Sequence, residues 1–191
     1  IVLASPVCAD SDDDAKDAVA LLDTCPARPH ALMAVPFAPT NLPTWYDAVM
    51  SNYLSDHRYA ADNMWTSAST AELLPGVRQI LETMPPHPSH FLWLNWGPSP
   101  ARQDMAYSLE DEVYLALYSG WADAADDEKY GDWARSNMAA MSHLATGIQL
   151  ADENLGARPA RFATDAAMAR LDSVRAQYDP DGRFHAWMGR T

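Results

Sequence analysis

Two stretches of this chain alternate, and the alternation sorts their side chains into two kinds of surface. In His90–Gly97 (HFLWLNWG) the residues Leu92, Leu94 and Trp96 recur at every second position, with Phe91, Trp93 and Asn95 between them. In Glu112–Trp121 (EVYLALYSGW) one row reads Val113, Leu115, Leu117 and the other Tyr114, Ala116, Tyr118. Successive side chains on a strand point to opposite faces. Both stretches are therefore expected as paired strands. Their aliphatic rows would lie against helices, and the rows Phe91–Trp93–Asn95 and Tyr114–Ala116–Tyr118 would line a second, aromatic face. A flat surface with polar handles suits a planar ligand or another domain.

The rest of the pattern supplies the other layers. Ile1–Cys8 and Ala31–Phe37 read as strands. Between them Ser11 caps a helix whose first turn carries Asp12, Asp13 and Asp14, where carboxylates complement the positive end of the helix dipole. Asn41–Asp62 has no clear period and reads as an irregular excursion, left by a short strand or bend at Met64–Ser67. Ser69 and Thr70 precede a helix in which Val77, Ile80, Leu81 and Met84 recur at helical spacing, with Pro75 expected at its first position. Asp126 or Asp127 opens a third helix, with Tyr130, Trp133, Met141 and Leu144 on one side and Gly147 as its stop. Ile148–Leu150 reads as a short strand and Thr164–Gln177 as the last helix. The fold class is α+β: a largely antiparallel sheet with helices packed on one face and the other face open.

Composition narrows the function classes. The chain has 191 residues, 48% of them hydrophobic, which places it among globular proteins and suits one domain over 1–191. The formal net charge of −13 opposes nucleic acid and anionic membranes as partners. No apolar run approaches the ~20 residues of a membrane span. Cys8 and Cys25 are too few for a disulfide framework and read as buried free thiols. The opening Ile1–Ala4 is already a strand pattern without a leader, so the chain reads as a piece of a longer polypeptide, with a cytoplasmic location expected.

Self-contained chemistry is scarce. There is no glycine-rich phosphate loop and no G-x-S-x-G elbow. His87 and His90 flank a Pro–Ser pair without further metal ligands at recognisable spacing, so no metal site is expected. Glu110–Glu112 reads as a solvated strand entrance. The aromatic face is what remains: Tyr114 and Tyr118 are the candidate catalytic residues, because their hydroxyls suit positioning or deprotonating a substrate hydroxyl. Phe91, Trp93 and Asn95 are the candidate residues beside them for facing a substrate or a flat ligand. A non-catalytic alternative, a stand-alone α+β binding or dimerisation module, would use the same face to pair with a second copy.

The run Ala169–Phe184 (ARLDSVRAQYDPDGRF) resembles the end of berberine-bridge-enzyme-like FAD-dependent oxidoreductases, which close with R-L-x-x-V-K-x-x-Y-D-P-x-N-x-F. Met64-Trp65-Thr66-Ser67 is similar to the Y-W-K-S segment of that family, and Val35-Pro36-Phe37 to its P-M-P-Y. The strand ending at Trp121, the Asp126-Asp127-Glu128 helix start and Trp133-Ala134-Arg135 fall in the family order. The resemblance implies the substrate-binding domain of a vanillyl-alcohol-oxidase-type flavoprotein. FAD would be held mainly by a domain earlier in the same polypeptide, and a small-molecule alcohol, sugar or amine would be oxidised by hydride transfer. The fragment alone would be inactive. The family's contact residues before Trp121 fall at Tyr114 and Ala116. Gln149-Leu150-Ala151-Asp152 stands where the family has Y-x-N-Y, with Asn154 as a substitute contact, and Asn95 stands near the place of a catalytic glutamate.

Overall fold

A computed structural model describes residues 2–97, 109–152 and 154–185. The chain divides into two compact units, Ile1–Asn52 and Tyr53–Thr191.

The first unit holds helices α1 (Asp12–Val19) and α2 (Leu42–Met50). Both begin on caps written in the sequence: Ser11 Oγ accepts from the Asp14 N–H at 3.2 Å, and Asn41 Oδ1 from the Thr44 N–H at 3.0 Å. The expected strands at Ile1–Cys8 and Ala31–Phe37 are absent among the described residues of this unit. A strand exists only as part of a hydrogen-bonded ladder, and neither run finds a partner strand there. Leu32, Met33 and Val35 are instead fully or largely exposed. Cys8 is exposed and Cys25 half-buried, which corrects the expectation of buried thiols.

The second unit carries the sheet. Strands β1 (Arg58–Thr66), β2 (His90–Asn95) and β3 (Val113–Trp121) form an antiparallel layer in the order β1-β3-β2. The excursion expected up to Asp62 thus ends earlier, because β1 is a nine-residue strand and not a short bend at Met64. Helices α3 (Thr70–Thr83), α4 (Asp127–Tyr130), α5 (Trp133–Ala140) and α6 (Asp165–Tyr178) complete the α+β fold. A capping box between Ser69 and Glu72 starts α3 upstream of Pro75, so the proline lies inside the helix and not at its first position. The stretch read as one long third helix is broken into α4, α5 and short 3₁₀ turns, and Gly147 forms only an isolated bridge with Trp65.

The core lies between the sheet and α3 and α5. Met64, Leu115 and Leu117 from the strands meet Leu73, Ile80, Trp133, Ala134, Met138 and Met141 from the helices and the turn after α5. This cluster fixes which row of each strand is inner. In an antiparallel pair, residues directly opposite share a face. Phe91 lies opposite Leu117, Trp93 opposite Leu115 and Asn95 opposite Val113. Phe91 and Trp93 pack on the helix-side core. The expected placement of Phe91, Trp93 and Asn95 on the aromatic face is therefore corrected. Leu92 and Leu94 take that place, opposite Ala116 and Tyr114.

Candidate functional site: a tyrosine cluster on the second sheet face

Strand β3 positions the site. Tyr114 and Tyr118 are four residues apart on one strand and so project from the same face. Trp65 lies opposite Tyr114, Asn63 opposite Ala116 and Ala61 opposite Tyr118 on one side, with His90 opposite Tyr118 on the other. Trp65, Tyr114, Ala116 and Tyr118 form a buried cluster, packed by Tyr53, Ala61 and Leu92. No helical residue joins that cluster among the described residues.

The rings are in contact in sequence. His90 stacks on Tyr118 with centroids 4.6 Å apart, and Tyr53 stands edge-on to both, at 5.4 Å from His90 and 5.6 Å from Tyr118. Trp65 lies 4.9 Å from Tyr114 and 5.6 Å from Trp96. His90 Nδ1 sits 2.9 Å from the Pro88 carbonyl, so that nitrogen carries the proton and donates. The Trp65 indole N–H is buried and has no hydrogen-bond partner among the described residues.

A loop brings a carboxylate to the tyrosines. The Trp65 N–H donates to the Gly147 carbonyl at 2.7 Å, and the Thr146 N–H to the Trp65 carbonyl at 2.9 Å. Two residues on, Asn63 Nδ2 donates to the Gln149 carbonyl at 2.9 Å and its Oδ1 accepts from the Gln149 N–H at 2.7 Å. The chain then delivers Asp152, whose Oδ2 accepts from the Tyr114 hydroxyl at 2.7 Å, with Gln149 Oε1 at 3.4 Å from the same hydroxyl. Beneath the loop, Arg158 Nε donates to the buried Asp62 carboxylate at 2.7 Å and Nη2 to the Asn63 carbonyl at 2.7 Å.

The carboxylate governs the phenols. Burial pushes the Tyr118 hydroxyl far above the ordinary tyrosine value, and its interaction with Asp152 pushes it further, since a phenolate would lie against a like charge. Burial also raises Tyr53; its hydrogen bonding with Tyr118 opposes this, and the Asp152 charge adds to the rise. At neutral pH these hydroxyls keep their protons. Tyr118 is thus built to donate, and the proton-accepting oxygen that the cluster offers belongs to Asp152.

Of the residues singled out from the sequence, the structure brings Tyr114 and Tyr118 together and turns Phe91, Trp93 and Asn95 to the other face. There the Trp93 indole N–H donates to Asn95 Oδ1 at 2.9 Å. Asn154 is half-buried, and its backbone carbonyl accepts from Ala157 and Arg158 at 3.0 and 2.7 Å, forming the turn that leads to Arg158. Sequence reasoning missed Tyr53, His90 and the supporting role of Asn63. The alternation of Ala61, Asn63 and Trp65 was the available signal for β1, and it was hidden by polar residues at both of its rows.

Comparison with known proteins follows from this geometry. No family model matches the chain. It is 27% identical over 155 residues to the FAD-linked oxidoreductase ptmO of Penicillium ochrochloron, covering 80% of this chain and 34% of that protein. It is 25% identical over 132 residues to the FAD-linked oxidoreductase janO of Penicillium janthinellum, covering 66% and 29%. Its relatives are FAD-linked oxidoreductases. The resemblance read from the C-terminal run is borne out at that level, since the penO protein of Penicillium crustosum, 26% identical over 131 residues that cover 68% of this chain and 29% of that protein, bears the same description. The chain spans about a third of the length of the curated relatives it matches. Among solved structures, it superposes with a TM-score of 0.65 and 16% identity on 6-hydroxy-D-nicotine oxidase from Arthrobacter nicotinovorans, covering 92% of this chain and 41% of that one. That likeness establishes the fold. Among the described residues, no helix is long and apolar enough to cross a membrane.

Proposed function

We propose that this chain is the substrate-binding part of a longer FAD-dependent oxidoreductase, acting on a small molecule with an oxidisable alcohol, sugar or amine-bearing carbon. One observation carries the reading beyond its relatives' names. Two buried phenols of the sheet meet a loop carboxylate in a cluster that no helical residue joins among the described residues, in a chain whose relatives are FAD-linked oxidoreductases.

The residues fit one end of FAD. Trp96, partly exposed and packed on the buried Trp65, offers ring surface suited to a flat heteroaromatic system, and the Trp65 indole N–H is a buried donor without an acceptor among the described residues. Nothing comparable serves a pyrophosphate, because the sequence has no glycine-rich loop for one. The phosphate end would thus be held by another part of the polypeptide. The exposed Leu32, Met33 and Val35 support such a part, since an uncovered apolar run of this kind marks a contact surface.

When bound, FAD supplies the hydride acceptor. This chain's own residues bind and orient. The protonated Tyr118 holds its hydrogen as a donor for a substrate oxygen or nitrogen, and Tyr114 is turned toward Asp152 Oδ2. Asp152 is the group to which a substrate proton is passed, directly or along the Tyr114 hydroxyl. The test is expression of the full-length reading frame. A purified yellow protein with flavin absorption bands is expected; a colourless, folded, full-length product overturns the reading.

A further inference from the structure

Three aromatic rings run from the surface of the second unit into its interior. Trp96 is 40% exposed, Trp65 2% and Tyr114 4%. Trp96 and Trp65 stand edge-on with centroids 5.6 Å apart, and Trp65 and Tyr114 meet at 4.9 Å, so each ring touches the next. The row ends on a proton acceptor, because the Tyr114 hydroxyl donates to Asp152 Oδ2 at 2.7 Å. The other ring contacts among the described residues do not combine these parts. Tyr59, Tyr53, His90 and Tyr118 touch one another with no indole among them, and Trp93 meets Phe91, a ring with no proton to give.

The two buried rings differ in what each can do with a missing electron. An indole or phenol that loses an electron becomes a cation, and a buried cation is costly unless its charge is removed. The Trp65 N–H is buried and has no acceptor among the described residues, so an oxidised Trp65 keeps its proton and its charge. Tyr114 is placed the other way. Its proton has a carboxylate within transfer distance, and moving it leaves a neutral phenoxyl radical beside a neutral carboxylic acid. Oxidation at Tyr114 thereby cancels a half-buried negative charge instead of creating a buried positive one. Trp65 is fitted to relay an electron, and Tyr114 to lose one and stay oxidised.

We propose that Tyr114 is a redox-active tyrosine, from which a one-electron oxidant meeting Trp96 at the surface draws an electron through Trp65. The oxidant gains one electron, Tyr114 loses one electron and its hydroxyl proton, and Asp152 Oδ2 gains that proton. Trp96 and Trp65 end as they began. A one-electron reductant reverses each transfer, so an oxidising equivalent is held at one residue and the indoles are spared. The site stands on ring and hydrogen-bond geometry alone, independent of the flavoprotein reading.

The experiment exposes the full-length protein to azide radicals, generated by pulse radiolysis, which oxidise exposed indoles. The tryptophanyl absorption is expected to decay at a rate independent of protein concentration while a tyrosyl absorption grows. That growth should slow in heavy water, because a proton moves with the electron. Freeze-quenched samples should show a tyrosyl paramagnetic signal that Tyr114→Phe and Trp96→Phe diminish, and that Tyr178→Phe, at an exposed position outside the row, leaves intact. Asp152→Asn, whose side chain accepts a hydrogen bond but not the proton, is expected to diminish it too and to leave the tryptophanyl signal long-lived. Indole decay without tyrosyl growth overturns the proposal, as does a signal undiminished in Tyr114→Phe or in Asp152→Asn, or one lost in Tyr178→Phe. Should Tyr114→Phe or Asp152→Asn fail to fold, Trp96→Phe decides, since it alters a partly exposed ring: an undiminished tyrosyl signal there overturns the proposal.

Discussion

Asn63 closes a two-point hydrogen-bonded ring with the backbone of Gln149, 86 residues further along the chain, and it does so from a fully buried position on the edge strand. One amide side chain thereby mimics the next rung of the sheet. It extends β1 sideways into a segment that is not a strand, and it sets where Asp152 meets Tyr114. Asn63→Ala leaves both Gln149 groups unpaired and opens a cavity, so a loss of about 2–4 kcal/mol is expected in urea unfolding. Faster amide exchange at Gln149 than at Leu115 would accompany it. An unchanged midpoint would mean that the loop is held by other contacts.

The ion pair below that ring makes a second prediction. Asp62 is 1% exposed and accepts two bonds from Arg158, as well as one from the Asn63 N–H. A buried charge that loses its partner costs far more than the pair itself contributes. Arg158→Met is therefore expected to destabilise by about 3–5 kcal/mol, with Asp62→Asn added to it recovering a measurable part. Additive unfolding midpoints in this double-mutant cycle would count against a coupled pair.

Tyr118 makes a prediction for alkaline solution. Its folded value lies above the unfolded value of 10.0, so its contribution to stability is complete below pH 10.0. Above that pH the unfolded chain releases the proton while the folded one keeps it, and stability falls as pH rises, by up to about 1.4 kcal/mol per pH unit for this group. Tyr118→Phe removes this dependence, leaving the smaller share of Tyr53, so its stability curve above pH 10.0 should be flatter than that of the unaltered chain. Asp152→Asn should flatten it partly, because burial, the larger cause of the shift, remains.

The sequence revealed β3 fully and β2 only by half, and the difference is chemical. In β3 the two rows differ in kind, Val113–Leu115–Leu117 against Tyr114–Ala116–Tyr118, so the alternation states which side faces the core. In β2 both rows are large and apolar, Leu92 and Leu94 against Phe91 and Trp93, and periodicity gives the strand without its sign. The sign is set by register against β3, a tertiary fact. Caps were legible at Ser11 and Ser69 because a side chain and its partner lie three residues apart. Asp152 was visible only as a departure from a family pattern. Its role depends on Asn63, and no local rule connects positions 86 residues apart.

Two glycines separate a tight approach that can relax from one that cannot. At Gly76, inside α3, a methyl group would meet the Met141 side chain, with Sδ at 2.5 Å and Cε at 3.0 Å. Met141 Cγ, at 2.7 Å, belongs to the same flexible thioether and moves with it when the side chain changes rotamer, and alanine favours the helix over glycine by about 1 kcal/mol. Gly76→Ala should therefore stay within about 1 kcal/mol of the unaltered chain in urea unfolding. At Gly147 the added carbon would collide with Leu109 Cδ2 and meet the Arg161 carbonyl oxygen at 2.7 Å. Leucine can turn away, but the carbonyl is backbone and already accepts from the Ile148 N–H at 2.8 Å. The loop itself must move, and it is the loop that carries Gln149 and Asp152. Gly147→Ala should cost about 1–3 kcal/mol and also lengthen the Tyr114–Asp152 contact, so that the alkaline limb of stability shifts as in Asp152→Asn. A Gly147→Ala protein with unchanged stability and an unchanged alkaline limb would show that the aromatic face does not depend on this approach.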